Sequence, residues 1–490
     1  MTNALLCALL LFALPSASAA PRKCAVADGF YPGDPMLLAK SVDGYLAKAP
    51  APGKLPGPVV ALLVPHAGYA YSAPVAATGY RAVADAYDTV VVLGAAHTVR
   101  VPGAALYAGG PFETPLGTVP VDDEVNRLLL KDPLFKDMPE AHAREHSIEV
   151  QLPFLVRRLQ KGFKLVPIVM NTEDPEVALR VGRALGRALK GRKALIVVSS
   201  DLSHYPPAGI ASRVDRSTLL ALERMDPDYF RLANRILMSR GEKGLDTVYC
   251  GEAGLLAGLA AARALGADRG TLLRYANSGE TPGIGDKDRT VGYAAMAFVR
   301  TGKPSPSDIP LTPKDKSALL ALARRVVSEG VEGRKPAPSL SEDPVLNQPA
   351  AAFVTLTEGG ALRGCIGTVE ARMPLQDAVA YGAYSAAFED HRFPPVTKEE
   401  LPKLRFEVSL LSPSRKVPSH ASVVPKKHGV ILSQGRRSGL FLPQVWEGIP
   451  DKAEFLGELC AQKAGLPRDC WKDPQTELRV FTVGVIEEAE

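Results

Sequence analysis

The sequence predicts a two-part chain: a doubly wound α/β domain on a largely parallel sheet, then a smaller α+β domain. Three observations predict it. From residue 58 to residue 300, short β-branched runs alternate with helix-compatible stretches, the order that builds parallel sheets covered by crossover helices. Residues 301–313 hold four prolines and little apolar content, the composition of an interdomain linker. Beyond them strand-like runs crowd around one long helix, which suits an antiparallel sheet. The 490 residues suffice for two or three domains with sizeable cores.

In chain order, the first feature is an apolar run, 4–14, followed by Pro15 and the small residues Ala17, Ser18, Ala19 and Ala20. That is the layout of a secretory h-region and its A-x-A cleavage site, although no Lys or Arg precedes it. The run is short for a membrane span, so residues 1–20 are expected to be a removed signal peptide. The protein is then exported, periplasmic or secreted, and otherwise cytoplasmic; no stable membrane anchor is expected.

The apolar runs at 59–64, 89–93, 163–170 and 194–200 read as buried strands, and 271–276 and 292–299 as further strands. Helices are expected over 73–87, 122–130, 174–189, 216–225 and 252–265, the third opened by Asp174, Pro175 and Glu176. Residues 107–117 are turn-rich and read as a loop or hairpin. In the second half, Thr312 and Pro313 supply an N-cap and first helical residue for 314–329. Strands are expected at 352–357, 362–368, 404–411, 429–432 and 478–486, and helices at 375–388 and 453–464.

Fifty-eight basic residues against 53 acidic ones leave a net charge of +5 with no concentrated basic block, so no nucleic-acid partner is indicated. Six scattered cysteines, Cys7, Cys24, Cys250, Cys365, Cys460 and Cys470, form no disulfide framework. Cys460 and Cys470 could pair in an oxidising compartment.

Chemistry concentrates at strand ends. His66 follows the first run, His97 the second, and Asp201 and His204 the run at 194–200. Open α/β sheets place ligands outside the carboxyl ends of their strands, so His66, His97, His146, Asp201, His204 and Cys250 are the candidate site. Imidazole and thiolate suit iron, copper or zinc. A competing pattern, His142-Ala143-Arg144-Glu145-His146, matches H-x-x-E-H, in which two histidines bind zinc and the glutamate acts as base of a metallopeptidase. Pro139 and Pro153 bracket it, and no convincing amphipathic helix surrounds it. In the second half, Leu362-Arg363-Gly364-Cys365-Ile366-Gly367 reads as a packed strand with a bulge. Arg363 is expected to project from its edge, and Cys365 to be a small buried thiol or a reactive one. His391, Arg392 and the prolines at 394 and 395 offer a polar cluster nearby.

These motifs carry a resemblance. Pro65-His66-Ala67-Gly68-Tyr69, Leu93 to His97, Glu145 to Glu149 with Leu152 and Pro153, Ser199 to His204, and Cys250-Gly251 stand in the order and approximate spacing of the Memo family, over residues 25–300. Memo proteins resemble class III extradiol dioxygenases, which are non-haem iron enzymes. The resemblance implies His66, His97 and Cys250 as metal ligands, Asp201 and His204 lining the site, and Glu145 and His146 behind the ligands or touching substrate. It implies a divalent metal, iron first, with copper or zinc as alternatives, and a small aromatic or peptide ligand. His204 would be the base that removes a phenolic proton and Asp201 would orient it. Cys250 stands where the dioxygenases carry a carboxylate. The alternative is a metal- or peptide-binding scaffold without turnover.

Residues 314–490 resemble the AMMECR1 domain through the 362–367 run, Phe388 to Pro395, Leu404 to Leu411, His428 to Val430 and Phe441 to Trp446. That domain has no defined activity. The two halves together look like a fusion from the AmmeMemoRadiSam system, which implies a separate radical SAM protein as partner, since no CxxxCxxC motif occurs here.

Overall fold

The computed structural model describes residues 21–84, 87–159, 161–305, 308–337 and 339–488. The expected signal peptide, with Cys7, lies outside the described residues.

Among these, the first 300 residues form β1 (Val59–Val64), β2 (Thr89–Ala95), β3 (Ala104–Leu106), β4 (Phe112–Thr114), β5 (Gly117–Val119), β6 (Phe135–Asp137), β7 (Lys164–Met170), β8 (Ala194–Ser199), β9 (Arg269–Asn277) and β10 (Gly292–Val299). The helices are α1 (Pro35–Lys48), α2 (Tyr69–Arg81), α3 (Asp123–Leu129), α4 (Pro139–Ala143), α5 (Leu152–Arg158), α6 (Pro175–Ala188), α7 (Ala208–Glu223), α8 (Pro227–Ser239) and α9 (Glu252–Ala264). Eight strands make one sheet in the order β6-β3-β7-β2-β8-β1-β10-β9. Its centre, β7-β2-β8-β1, is parallel. The strands expected at 271–276 and 292–299 pair antiparallel on one flank, and β3 joins β7 antiparallel on the other. Apolar runs mark a strand as buried but do not encode its direction. The 107–117 stretch resolves into the β4–β5 hairpin.

Doubly wound packing is visible in the alternation of side chains along each central strand. Leu63, Val91, Leu93 and Ile196 face a core shared with Leu185 of α6, Phe230 of α8 and Leu256 of α9. Leu62, Val64, Val90 and Val92 face the opposite core, with Leu38 of α1, Tyr80 of α2 and Phe154 of α5. Full burial of one such side chain is worth about 1.5–3 kcal/mol. Helices α6 and α9 approach so closely that a Cβ on Gly182 would lie 2.2 Å from the Ala257 carbonyl oxygen. Asp174 caps α6 through the Glu176 and Val177 N–H groups, with Pro175 opening the helix.

The second half contains α10 (Pro313–Val331), β11 (Pro349–Glu358), β12 (Ala361–Gly367), β13 (Met373–Pro374), α11 (Leu375–Phe388), β14 (Leu404–Leu411), β15 (Arg415–Val417), β16 (Gly429–Gln434), β17 (Arg437–Phe441), α12 (Val445–Gly448), α13 (Lys452–Glu458), β18 (Glu477–Phe481) and β19 (Val483–Glu487). Every strand pair here is antiparallel. Strands β12-β11-β14-β19 form one sheet, and β15-β18-β16-β17 another. Helices α10 and α11 cover the first sheet through Leu319, Val327, Val379 and Ala383. The second closes over Trp446, stacked on Phe455 at 3.6 Å, and Cys460 is disulfide-bonded to Cys470. Thr312 caps α10 reciprocally with Asp315.

The halves are docked. Gln348 Nε2 donates to the Ser217 carbonyl at 3.0 Å, and Asn347 Nδ2 to Ser217 Oγ at 3.1 Å. Arg240, just after α8, pairs with Asp377 of α11 at 2.5 Å. Leu340 packs with Val214, Leu237 and Val248.

Candidate metal centre

Strand β8 lies between β2 and β1, with Val198 opposite Leu93 and Ser199 opposite Val64. The three parallel strands therefore end side by side, and the residues after them converge. His66 is 2% exposed. Its N–H donates to Asp201 Oδ1 at 2.8 Å, and its Nδ1 lies 3.1 Å from the Ser199 carbonyl oxygen. A carbonyl only accepts, so Nδ1 carries the proton and Nε2 is left facing the site. His97 is held the same way. Its N–H donates to Glu145 Oε2 at 2.7 Å, its Nδ1 meets Glu145 Oε1 at 2.9 Å, and its Nε2 lies 3.1 Å from Cys250 Sγ. Cys250 sits just before α9, its N–H donating to the Asp201 carbonyl at 3.0 Å. His66, His97 and Cys250 thus bring three potential donor atoms within 4.8 Å of one another.

His97, Glu145 and His146 form a second, overlapping cluster. The His146 ring stacks on His97 at 4.5 Å and meets Phe30 at 4.9 Å. His204 is fixed through its backbone between Thr247 and Val291, and its buried Nε2 has no hydrogen-bond partner.

The electrostatics are dominated by one sulfur among imidazoles. Burial pushes the Cys250 thiol up, but the neighbouring imidazoles of His204, His66 and His97 outweigh it and bring the pKa down to about 3. Burial disfavours the His97 cation, yet Cys250 and Glu145 raise its pKa to about 10. Glu145, despite burial, is held at about 2 chiefly by His97. Burial and the neighbouring His66 lower His146 to about 4, so it stays neutral. Burial raises Asp201, partly countered by His66. His204 is raised against its burial by Cys250 and Asp201.

All six candidates of the first domain, with Glu145, come together. The H-x-x-E-H pattern does not hold as a helical zinc pair. Helix α4 ends at Ala143, and His142 is buried away from the others, its Nε2 at 3.1 Å from the Ala105 carbonyl; it joins neither cluster of potential ligands among the described residues. Sequence reasoning overlooked Arg22 and Phe30, because residues 21–34 carry no hydrophobic periodicity to place them. The available signal was a basic residue eight positions before an aromatic turn, Phe30-Tyr31-Pro32.

Arg363 and Cys365 lie apart, on β12. Arg363 does not project from the edge. It is 9% exposed, pairs with Glu400 at 2.7 Å and donates to the Pro394 carbonyl at 2.9 Å, because a bulge opposite Thr357 turns it onto the 390–400 segment. Cys365 Sγ is 3.4 Å from Thr355 Oγ1, and its N–H donates to Asp390. At Gly364 two backbones approach closely: a Cβ there would lie 2.1 Å from the Ala386 carbonyl oxygen.

The fold and the site define an α/β protein with a histidine–cysteine cluster at the carboxyl edge of its parallel strands, joined to an antiparallel α+β domain. The model of Memo-like proteins matches residues 22–297 and that of AMMECR1 matches residues 320–486, so the chain belongs to the Memo-like family and carries an AMMECR1 domain. A MEMO1 family protein of Aquifex aeolicus is 39% identical over 280 residues, 57% of this chain and 99% of that protein. One from Ignicoccus hospitalis is 37% identical over 289 residues, 56% of this chain and 98% of that protein. Among solved structures, the uncharacterized protein PH0010 of Pyrococcus horikoshii is 36% identical, covers 36% of this chain and 92% of that one, and has a TM-score of 0.33.

Proposed function

We propose that the first domain binds a divalent metal through His66, His97 and Cys250 and carries out dioxygenase-like redox chemistry on a small aromatic substrate. The single observation that carries the reading is the shared preparation of the ligands. Each histidine has its Nδ1 proton tied to a fixed acceptor, Ser199 or Glu145, leaving Nε2 inward beside a sulfur that is already a thiolate. Metal-binding histidines are oriented by such partners. The residues fit a metal: two imidazole nitrogens and a cysteine sulfur lie within 4.8 Å of one another, donor types that such ions take, and the orphaned His204 Nε2 leaves a polar atom to serve a ligand.

A metal held there would supply Lewis acidity and, if iron, a route for electrons to oxygen. The remaining work falls to this chain. His204 takes a proton from a phenolic hydroxyl at its Nε2; once the Cys250 charge is shared with a metal, the anion that raises the His204 pKa is largely spent. Asp201 fixes the His66 backbone and faces its ring. His146, neutral and packed at a tilt against Phe30, forms an aromatic wall for the substrate.

A second reading, a metal-binding scaffold without turnover, is favoured by Cys250 itself, a softer donor than the carboxylate of the dioxygenases and better suited to copper or zinc. Metal analysis of the purified protein beside His66→Ala and Cys250→Ala separates the cases: both variants should lose the metal, and unchanged content in both would overturn the site. Oxygen uptake with catechols after ferrous loading is expected of the enzyme, and none of the scaffold.

The AMMECR1 domain, docked beside the first, is proposed to recognise the substrate or a partner; a radical SAM protein would be that partner only for protein kept in the reducing cytoplasm, and export would separate the two. Export behind a removed leader is favoured by the Cys460–Cys470 disulfide, since such bonds persist in oxidising compartments. No helix among the described residues is long and apolar enough to cross a membrane. A mature N-terminus at Ala20 or Pro21 would establish the export route.

A further inference from the structure

Residues 22–31 run behind the metal centre and are anchored at several points. Arg22, 4% exposed, pairs with Glu149, which is fully buried. The same guanidinium donates to the His142 carbonyl from Nε at 3.1 Å and Nη2 at 3.0 Å, and from Nη2 to the Glu145 carbonyl. Glu149 also accepts the Ala25 N–H at 2.8 Å, the Val26 N–H at 3.0 Å and the Tyr31 hydroxyl. Arg22 is itself stitched by its backbone to the β4 hairpin, donating to the Pro111 carbonyl and accepting from the Glu113 N–H, both at 2.8 Å. The strap ends with Phe30 against His146.

The segment that Arg22 grips is short and irregular. Helix α4 stops at Ala143, and no regular element begins until Glu149, yet between them lies Glu145, whose carboxylate accepts from the His97 backbone and ring and from the His146 and Ser147 N–H groups. Without secondary structure to hold it, the position of Glu145 depends on what fixes its backbone, and Arg22 binds carbonyls at both ends of the 142–145 turn. We propose that Arg22 is a positioning residue for the metal centre: it fixes the 142–145 turn, hence the Glu145 carboxylate, hence the His97 ring that offers Nε2 to the ion. The proposal rests on the metal reading above. It gives the residues immediately behind the expected cleavage site a task in the centre.

A planar guanidinium reaches Glu149 and two carbonyls in one fixed geometry; an ammonium keeps the charge opposite Glu149 but cannot satisfy all three. The test compares the full-length protein with Arg22→Lys, Arg22→Met and His66→Ala. Three quantities are read: melting temperature, exchange of the His97 Nδ1 proton in the metal-free protein by nitrogen-15 NMR, and cobalt(II) affinity with its visible spectrum. Arg22→Lys should keep the melting temperature near that of the parent. Its His97 Nδ1 proton should nonetheless exchange at least tenfold faster, its cobalt affinity fall about 10–100-fold, as for other partners behind metal ligands, and its spectrum shift. Arg22→Met should exceed it on all three readouts; if that variant does not fold, Arg22→Lys carries the test. A folded Arg22→Lys with unchanged proton exchange and unchanged cobalt affinity would overturn the role of Arg22, while loss of cobalt in His66→Ala would leave the metal reading standing. Faster His97 exchange in Arg22→Lys, with a parent protein that binds no cobalt, would instead uphold the positioning role and overturn the metal reading.

Discussion

The two halves each present a cysteine beside charged groups, and the neighbours make them chemically different. Cys250 is ringed by the imidazoles of His66, His97 and His204, which convert it to a thiolate in spite of burial. Cys365 has a threonine hydroxyl at its sulfur, while its charged neighbours are already matched: Asp390 with Arg392 at 2.7 Å, and Glu400 with Arg363. Imidazoles with one nitrogen anchored and the other free can lend a proton or a lone pair inward. Guanidinium–carboxylate pairs neutralise one another's charge and chiefly fix the backbone of β12 against the 390–400 segment. A motif of sharp appearance is therefore no measure of reactivity; what matters is whether the polar neighbours have bonding capacity left over.

The largest test of this contrast is metal retention. Cys250→Ala should lower metal affinity by at least a hundredfold, whereas Cys365→Ala should change it less than twofold, both read by competition with a chelator. Equal losses would erase the distinction. A finer test is the pH profile of alkylation in metal-free protein. A thiol near pKa 8.5 gains roughly a hundredfold in thiolate between pH 5 and pH 7. Cys250, lowered to about 3, is already ionised at pH 5, so its rate with iodoacetamide, followed by peptide mapping, should stay within about threefold across that range. A hundredfold rise would show that the imidazoles do not hold the charge.

The smallest effect lies just beneath the site, at Asp215. Burial raises its pKa to about 7, although it accepts the Ser203 N–H at 3.0 Å and the Tyr275 hydroxyl at 2.9 Å. The folded state then binds a proton more tightly than the unfolded chain, whose carboxyl titrates near 3.9. This group's contribution to stability is complete below about pH 4 and declines as pH rises to about 7. Asp215→Asn should flatten that part of the stability profile in urea titrations; an unchanged slope would mean that Asp215 is ionised in the folded state throughout.

Much of the centre was legible because its code is local. A β-branched run followed within a few residues by His66, His97 or Asp201 shows both the strand and what leaves its end, and parallel neighbours then align those ends without further instruction. The helix opening at Asp174 and the cap at Thr312 were legible for the same reason. Direction was not: β10 is as buried as a central strand yet pairs antiparallel with β1 and β9. Helices α1 and α8 escaped notice, and α7 starts at Ala208, well before the expected 216, since its first turns are amphipathic only against distant partners. Arg363 was misread because an arginine reads as exposed unless the carboxylate that buries it is known, and Glu400 lies 37 residues away; Arg22 was passed over altogether, its partner Glu149 lying 127 residues away.

The interdomain docking has a consequence of its own. Asn347 and Gln348 are buried on the body of the first domain, and Arg240 and Asp377 add an ion pair mostly shielded from water. The linker therefore does not set the effective concentration of one half around the other; the docking bonds do, and they hold one orientation. Fusion here does more than keep two proteins at equal abundance. A ligand held on the AMMECR1 domain would stand on a fixed bearing relative to the histidine–cysteine cluster, with little of the rotational freedom that two separate proteins would have to surrender on each encounter.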